Sequence, residues 1–139
     1  MKILVDTNIV IDYITIREPF YEAAYKIVKL CADKQIKGVM AVHSIPNVYY
    51  LLRKQMTEQQ RRNVIKSMLK VFDVALFDKD MVFDALDKED FKDFEDCLQD
   101  ECADSCGADY IVTRNIKDFE NSKVQAITPD EFLKKIDNQ

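Results

Sequence analysis

The chain has 139 residues, with 25 acidic and 20 basic side chains and one histidine, so it carries a formal net charge of −5. That length predicts a single domain over residues 1–139, able to bury roughly two thirds of the surface its unfolded chain exposes. With 47% apolar residues, 32% charged residues, two glycines and three prolines, the composition excludes a disordered chain, a fibre and a loop-rich disulfide scaffold, and leaves a compact soluble globule.

Residues 2–5 form a short β-branched and leucine run closed by Asp6, which predicts a strand and is too short for a signal peptide. Residues 20–33 place Ala23, Ala24, Ile27, Val28, Leu30 and Cys31 at helical spacing, and Gly38 punctuates the approach to a second strand at 39–42. Residues 45–53 and 58–70 read as helices, the latter with Val64, Ile65, Met68 and Leu69 as its apolar stripe. A third strand is expected at 72–77 and a short helix at 80–88. A longer helix at 94–106 is stopped by Gly107, where helices commonly end. A fourth strand follows at 108–113 and a fifth at 124–127. Thr128-Pro129-Asp130-Glu131 then opens a terminal helix with an N-cap, a first-turn proline and a capping-box Glu.

Near-continuous apolar strands separated by helices predict an α/β fold whose parallel sheet is covered on both faces. No apolar run approaches the ~20 residues that span a bilayer, so no membrane partner is expected. Cys31, Cys97, Cys102 and Cys106 include no Cys-x-x-Cys pair. The last three are offset within one helix, which favours free thiols in a reducing cytosol over a zinc site or disulfides, and the chain reads as cytoplasmic.

Charge is unevenly spread. Residues 73–109 hold eleven Asp and three Glu against Lys79, Lys88 and Lys92, a net of −11, which leaves +6 for the rest. A cation, a basic partner or plain solvation of a helix face would offset such an excess.

Ligands of parallel sheets bind beyond the carboxyl ends of the strands. The first strand ends in Asp6-Thr7-Asn8, the second in His43-Ser44 with Asn47 shortly after, and the fourth in Thr113-Arg114-Asn115 with Asp118 on the following loop. The helix before the fourth strand opens with Asp93-Phe94-Glu95-Asp96. The fold therefore draws Asp6, Asp96 and Asp118 toward one edge, with Glu95, Asn47 and Asn115 as neighbours. Converging carboxylates resist full ionisation unless a divalent cation is present, and oxygen donors of this kind suit Mg2+ or Mn2+.

Each residue also has a simpler role open to it. Asp6 fits a cap of the next helix, and Asp93 fits a cap with Asp96 adding charge at the helix start. Asp118 is then an ordinary loop acid, and His43 a packed strand-end residue. Tyr49, Tyr50, Leu51 and Leu52 read as core and helix-packing residues.

Three segments together carry a family resemblance: Ile3-Leu4-Val5-Asp6-Thr7-Asn8, Asp93-Phe94-Glu95-Asp96-Cys97-Leu98-Gln99, and Ala108-Asp109-Tyr110-Ile111-Val112-Thr113-Arg114-Asn115-Ile116-Lys117-Asp118-Phe119. In this order they resemble the PIN domain family, and within it the small stand-alone members that include VapC-like toxin ribonucleases of type II toxin-antitoxin pairs. The resemblance implies a three-layer α/β/α sandwich around a five-stranded parallel sheet, and an acidic pocket that binds Mg2+ or Mn2+ to hydrolyse phosphodiester bonds in RNA. Residue by residue, it implies Asp6, Asp96 and Asp118 as metal ligands and catalytic acids. Asn115 would bind metal through its carbonyl oxygen or hold a water, and Thr7, Asn8 and Thr113 would orient the carboxylates. Where many members present a glutamate this chain has Asn47, which removes one negative charge; Glu95 is a neighbouring acid that would compensate.

The mechanism expected on this reading is metal-assisted hydrolysis by an endoribonuclease, with no covalent nucleophile. An acidic pocket repels nucleic acid, so binding would fall to a basic rim drawn from Arg53, Lys54, Arg61, Arg62, Lys66 and Lys70. An antitoxin would insert an Arg or Lys into the pocket by charge complementarity, and a homodimer is implied by resemblance alone. Two alternatives stand beside it. One is a catalytically weak or inactive PIN domain that binds RNA or a protein partner. The other is a phosphatase or phosphoryl acceptor, disfavoured because Asn8 stands where that pattern wants a second Asp.

Overall fold

Five apolar runs pair side by side, all in parallel, and every other feature hangs on that sheet. In the computed structural model, which describes residues 1–138, the strands are β1 (Lys2–Val5), β2 (Lys37–Ala41), β3 (Asp73–Ala75), β4 (Tyr110–Val112) and β5 (Ala126–Ile127), in the order β3-β2-β1-β4-β5. The connecting helices are α1 (Thr7–Ile14), α2 (Tyr21–Ala32), α3 (Ser44–Leu51), α4 (Glu58–Val71), α5 (Lys79–Asp87) and α6 (Phe94–Ser105), with α7 (Pro129–Asp137) closing the chain.

Strand side chains alternate between faces, and this periodicity makes three layers. Ile3, Val5, Met40, Val112 and Ile127 point to one side, where they meet Ile9, Val10, Ile27, Val28, Met68 and Phe132 from the helices. Leu4, Val39, Ala41, Ala75 and Ile111 point to the other and meet Cys102, Ala103 and Phe119. A smaller cluster of Ala85, Cys97 and Leu98 joins α5 to α6. The central strand β1 is buried on both faces, with Ile3, Leu4 and Val5 fully excluded from solvent. A fully buried aliphatic side chain of this kind contributes about 1.5–3 kcal/mol, so the strand that ends at Asp6 is among the firmest parts of the sheet.

Polar side chains set the helix ends. Thr57 and Gln60 form a reciprocal capping box on α4, Asp78 accepts from Met81 N, and Thr128 accepts from Glu131 N behind Pro129. Gly107 follows α6 at φ +74°, a left-handed turn that a Cβ would strain.

The structure corrects four local expectations. Gly38 lies inside β2 rather than before it, at a point where a Cβ would meet Cys31 Sγ at 2.5 Å and the Phe72 ring at 2.7 Å, so close packing rather than a turn calls for glycine. Residues after Asp6 form a helix, α1, that the apolar spacing of 20–33 did not announce. Asp118 sits on a 3-10 helix, Ile116–Phe119, rather than a plain loop. The strands β3, β4 and β5 are also shorter than their apolar runs suggest. The four cysteines are free thiols, and burial pushes Cys31 up to about 12 and Cys102 up to about 11. Among the described residues no helix is long and apolar enough to cross a membrane.

Candidate functional site

Asp6 is the first residue past β1, and its backbone N–H continues the sheet by donating to Val112 O at 3.0 Å. Its side chain is 4% exposed and makes no capping bond to α1. Instead Oδ1 accepts from Gln99 Nε2 at 2.9 Å and Oδ2 accepts from Thr113 Oγ1 at 2.8 Å. Burial raises the pKa of Asp6, and the bonds from Gln99 and Thr113 oppose that rise. Thr113 Oγ1 also accepts from Asn115 N at 3.0 Å, so one hydroxyl ties Asp6 to the loop after β4.

The second acid arrives on α6. Asp93 caps this helix, its Oδ1 accepting from Asp96 N at 3.0 Å, which fixes Asp96 on the first turn. The Asp96 carboxyl is pushed up to about 7, first by burial and then by the negative charges of Asp6, Asp93, Asp118 and Glu95. Asp118, coming from the 3-10 helix beyond β4, thus shares the field of Asp96 although 22 residues separate them in the chain.

Across from α6 stands α3. Thr7 Oγ1 donates to Ser44 Oγ at 2.8 Å, which ties the first turns of α1 and α3 together. Asn47 Nδ2 donates to Glu95 Oε2 at 3.5 Å, so the amide faces an acid. His43 Nε2 donates to Glu95 O at 3.0 Å, and its ring packs edge-on to Phe77, a strand-end packing role. Asp6, Thr7, Asn8, Asn47, Glu95 and Asp96, with Tyr50, Leu51 and Gln99, line a cavity of about 320 Å³ at this edge.

Not every candidate enters it. Asn115, Thr113 and Asp118 do not line the cavity; Thr113 is joined to it by its bond to Asp6, Asn115 by its bond to Thr113, and Asp118 by its charge on Asp96. Among the described residues no three His, Cys, Asp or Glu side chains are gathered tightly enough to form a ready cage for an ion. The donor chemistry nevertheless fits a hard divalent cation. Asp6 is buried against neutral hydrogen-bond donors, and Asp96 is held among four like charges with no basic group among the causes of its shift.

The basic rim divides. Arg53 lies against Tyr50 at the cavity, whereas Arg61 packs over Tyr49 and Arg62 pairs with Glu58 at 2.9 Å. Lys54 is exposed, and Lys66 shares a separate hollow with Arg62 and Tyr49. Lys70 lies at the opposite end of the sheet, beside Lys37 and Asp73 where β2 and β3 begin. The acid of residues 73–109 divides too. Asp84, Asp87, Asp90 and Asp104 are solvated surface, while Asp100 is buried and accepts from Lys123 N and Val124 N at 2.9 and 3.1 Å.

Three residues of this region escape sequence reasoning. Gln99 follows Asp96 by three positions, a helical spacing that puts both on one face. It presents Nε2 to Asp6, and its Oε1 is buried with no partner among the described residues. Arg114 holds Asp12 through Nε at 2.7 Å and Nη2 at 3.2 Å, and stacks on Phe20 at 3.9 Å. The signal was an acid, Asp12, within the apolar run of α1. Tyr50 was expected to pack in the core, as Leu52 does, but it is 58% exposed, and Leu51 is exposed beside it.

A model of the PIN domain family matches residues 2–117 of the chain. Curated protein sequences give no match. Among solved structures, the chain is similar to the DNA-bound VapBC of Salmonella typhimurium, at 17% identity and a TM-score of 0.71 over 93% of this chain and 98% of that one. It is similar to VapBC2 of Rickettsia felis bound to a DNA fragment from its promoter, at 18% identity and 0.69 over 92% and 98%. It is also similar to VapC20 of Mycobacterium tuberculosis, a sarcin-ricin loop cleaving toxin, at 16% identity and 0.67 over 86% and 95%. At these identities the likeness is one of fold.

Proposed function

We propose that this chain, which belongs to the PIN domain family, acts over residues 1–139 as one metal-dependent endoribonuclease domain and is the toxin of a type II toxin-antitoxin pair. The observation that carries this reading is the carboxylate arrangement at the end of β1: buried Asp6 beside an Asp96 whose carboxyl is pushed up to about 7 by its acidic neighbours. Like charges so placed are stable only if a proton or a cation offsets them.

Asp6, Asp96 and Asp118 would hold Mg2+ or Mn2+, with Asn115 offering its carbonyl oxygen. When bound, a divalent ion supplies an acidified water and neutralises charge on the phosphate. The chain's own residues do the positioning. Gln99 and Thr113 fix the Asp6 carboxylate, and the Asp93 cap fixes the rotation of Asp96 about its helix. The Thr7–Ser44 hydroxyl bond holds the opposite wall, with Asn8 and Asn47 between. Arg53 and Lys54 offset the repulsion between an acidic pocket and RNA phosphates.

The neighbouring structures include a toxin-antitoxin complex, which supports an antitoxin partner; by charge complementarity that partner would present an Arg or Lys to this pocket. A homodimer and a cytoplasmic location belong to the same proposal. Asn47 favours a second reading, a weakly active domain that binds RNA or protein, because its amide nitrogen is turned to Glu95 where the family resemblance implies a glutamate.

Hydrolysis of a mixed RNA substrate with Mg2+ or Mn2+ tests the proposal. Wild type is expected to cut, and Asp6→Asn and Asp96→Asn are expected to be inactive. Equal activity in all three proteins, or activity that survives chelation, refutes the metal-nuclease reading. Absence of any heat when wild type is titrated with Mn2+ favours the binding module.

A further inference from the structure

We infer that Tyr50 and Arg53 form a nucleobase-stacking step on the wall of the acidic cavity, with Tyr50 holding the face of one base of the bound RNA strand and Arg53 the phosphate beside it. The inference rests on the nuclease reading and adds the two residues that position a base at the site. Tyr50 lies on the last turn of α3 and lines the same cavity as Asp6, Asn47 and Asp96. It is 58% exposed.

One face of that ring is covered. The Arg53 guanidinium stacks 3.9 Å from its centroid, and Arg53 Nη1 donates to Tyr50 O at 3.1 Å, which holds the stack in place. With one face against a cation and the residue still mostly exposed, the remaining ring surface is open to a second planar group. The neighbouring pair differs. Tyr49 is half-buried beneath Arg61, which donates to Tyr49 O at 3.1 Å, so the same chemistry serves packing there.

Charge decides what the second planar group is. The cavity floor is acidic, so an anion cannot settle there without a cation, whereas a neutral base can lie against the ring. Its flanking phosphate then reaches Arg53, which carries five N–H donors and commits one of them to Tyr50 O. A base offers its face to a side chain only when it is unpaired and unstacked; in a duplex both faces are covered. The exposed Leu51 beside Tyr50 widens the apolar side of the step.

The test compares wild type, Tyr50→Ala, Tyr50→Phe and Arg53→Gln. The substrates are a short single-stranded RNA and the same strand in a duplex, with cleavage kinetics in Mn2+ and fluorescence anisotropy as readouts. Tyr50→Ala is expected to raise KM and the dissociation constant roughly 5- to 150-fold, the range expected for losing one stacked base, with kcat little changed. Tyr50→Phe keeps the ring and is expected within about two-fold of wild type. Arg53→Gln is expected to lower the salt slope of binding by about one phosphate contact, and duplex binds more weakly than single strand.

Unchanged KM in Tyr50→Ala, equal loss in Tyr50→Phe, or equal binding of duplex and single strand overturns the inference while leaving the nuclease reading intact. A wild type that binds single-stranded RNA through Tyr50 yet never cuts it overturns the nuclease reading and keeps the step. If Tyr50→Ala alters only the oligomeric mass on gel filtration, with RNA affinity unchanged, the surface serves a protein contact and the inference falls.

Discussion

Replacement of Asp12 tests how the loop after β4 is held. Asp12 is fully buried, and Arg114 grips it through two nitrogens at 2.7 and 3.2 Å while resting on Phe20. Asp12→Ala leaves a guanidinium that is only 22% exposed without its carboxylate. Removing one partner of a buried pair costs about 3–5 kcal/mol. The Phe20 stack and partial solvent contact of Arg114 place this case near the lower end, so the expected loss is about 3 kcal/mol. For a chain of this size that corresponds to a fall in Tm of roughly 6–12 °C.

The companion variant is Asp12→Leu with Arg114→Met. Apolar replacement of both partners removes the desolvation cost along with the attraction, so the double variant is expected to recover most of the lost stability. Urea and thermal unfolding followed by circular dichroism measure both. RNA cleavage by Asp12→Ala is expected to fall as well, since Arg114 lies between Thr113, which bonds Asp6, and Asn115, which bonds Thr113. A single variant within about 0.5 kcal/mol of wild type, or a double variant no more stable than the single, would refute the assignment of Arg114 as the clamp of this loop.

In metal-free protein, the folded chain holds the Asp96 proton more tightly than the unfolded chain, because the carboxyl is raised from 3.8 to about 7. Stability therefore falls as pH climbs from about 4 through about 7. Full conversion of that shift would be about 4 kcal/mol, but Asp96 is only half-buried and solvent screens it, so Asp96→Asn is expected to gain about 1–2 kcal/mol at pH 8 and nothing near pH 4. Unfolding scans in chelator that show no gain at pH 8 would sink this reading. Gln99→Leu leaves Asp6 Oδ1 buried without its donor, with an expected loss of about 1–3 kcal/mol and weaker Mn2+ binding by calorimetry; wild-type values for both would contradict it. Gly38→Ala forces Cys31 and Phe72 apart, with an expected loss of about 1–3 kcal/mol in urea unfolding.

The sheet was legible because its signal is local. Ile3, Leu4 and Val5 form an apolar run buried on both faces, and a parallel sheet fixes the strand-end position of the next residue, Asp6. The cap of Asp93 on Asp96 was legible for the same reason, since capping acts over three residues. What stayed hidden is pairing across distance. Gln99 meets Asp6 over 93 positions and Arg114 meets Asp12 over 102, and neither side chain announces its partner. Helical spacing put Gln99 on the face of Asp96, yet the amide's target is set by how α6 crosses the end of β1, a tertiary fact. Tyr50 misled for a related reason: an aromatic residue in an amphipathic helix normally turns inward, and only the position of α3 shows which side of it stays wet.

These hidden contacts share a logic that follows from the acids themselves. A buried carboxylate beside other carboxylates has no internal cation to neutralise it, so the groups that hold it must be neutral donors if the pocket is to keep its affinity for an external cation. Gln99 and Thr113 are such groups at Asp6. The cation whose charge acts on Asp6, Arg114, is held by Asp12, and its lowering influence on Asp6 ranks behind burial and both neutral hydrogen bonds. Were Arg114 free to pair with Asp6, the carboxylate would be satisfied within the protein and the pocket would lose its demand for a metal. Asp12 is therefore expected to serve the site as much as the fold. An Asp12→Asn variant, with a neutral side chain of the same shape, is expected to weaken Mn2+ binding even where its Tm is largely retained. Calorimetry of that variant separates the two effects: unchanged Mn2+ affinity would confine Asp12 to a structural role.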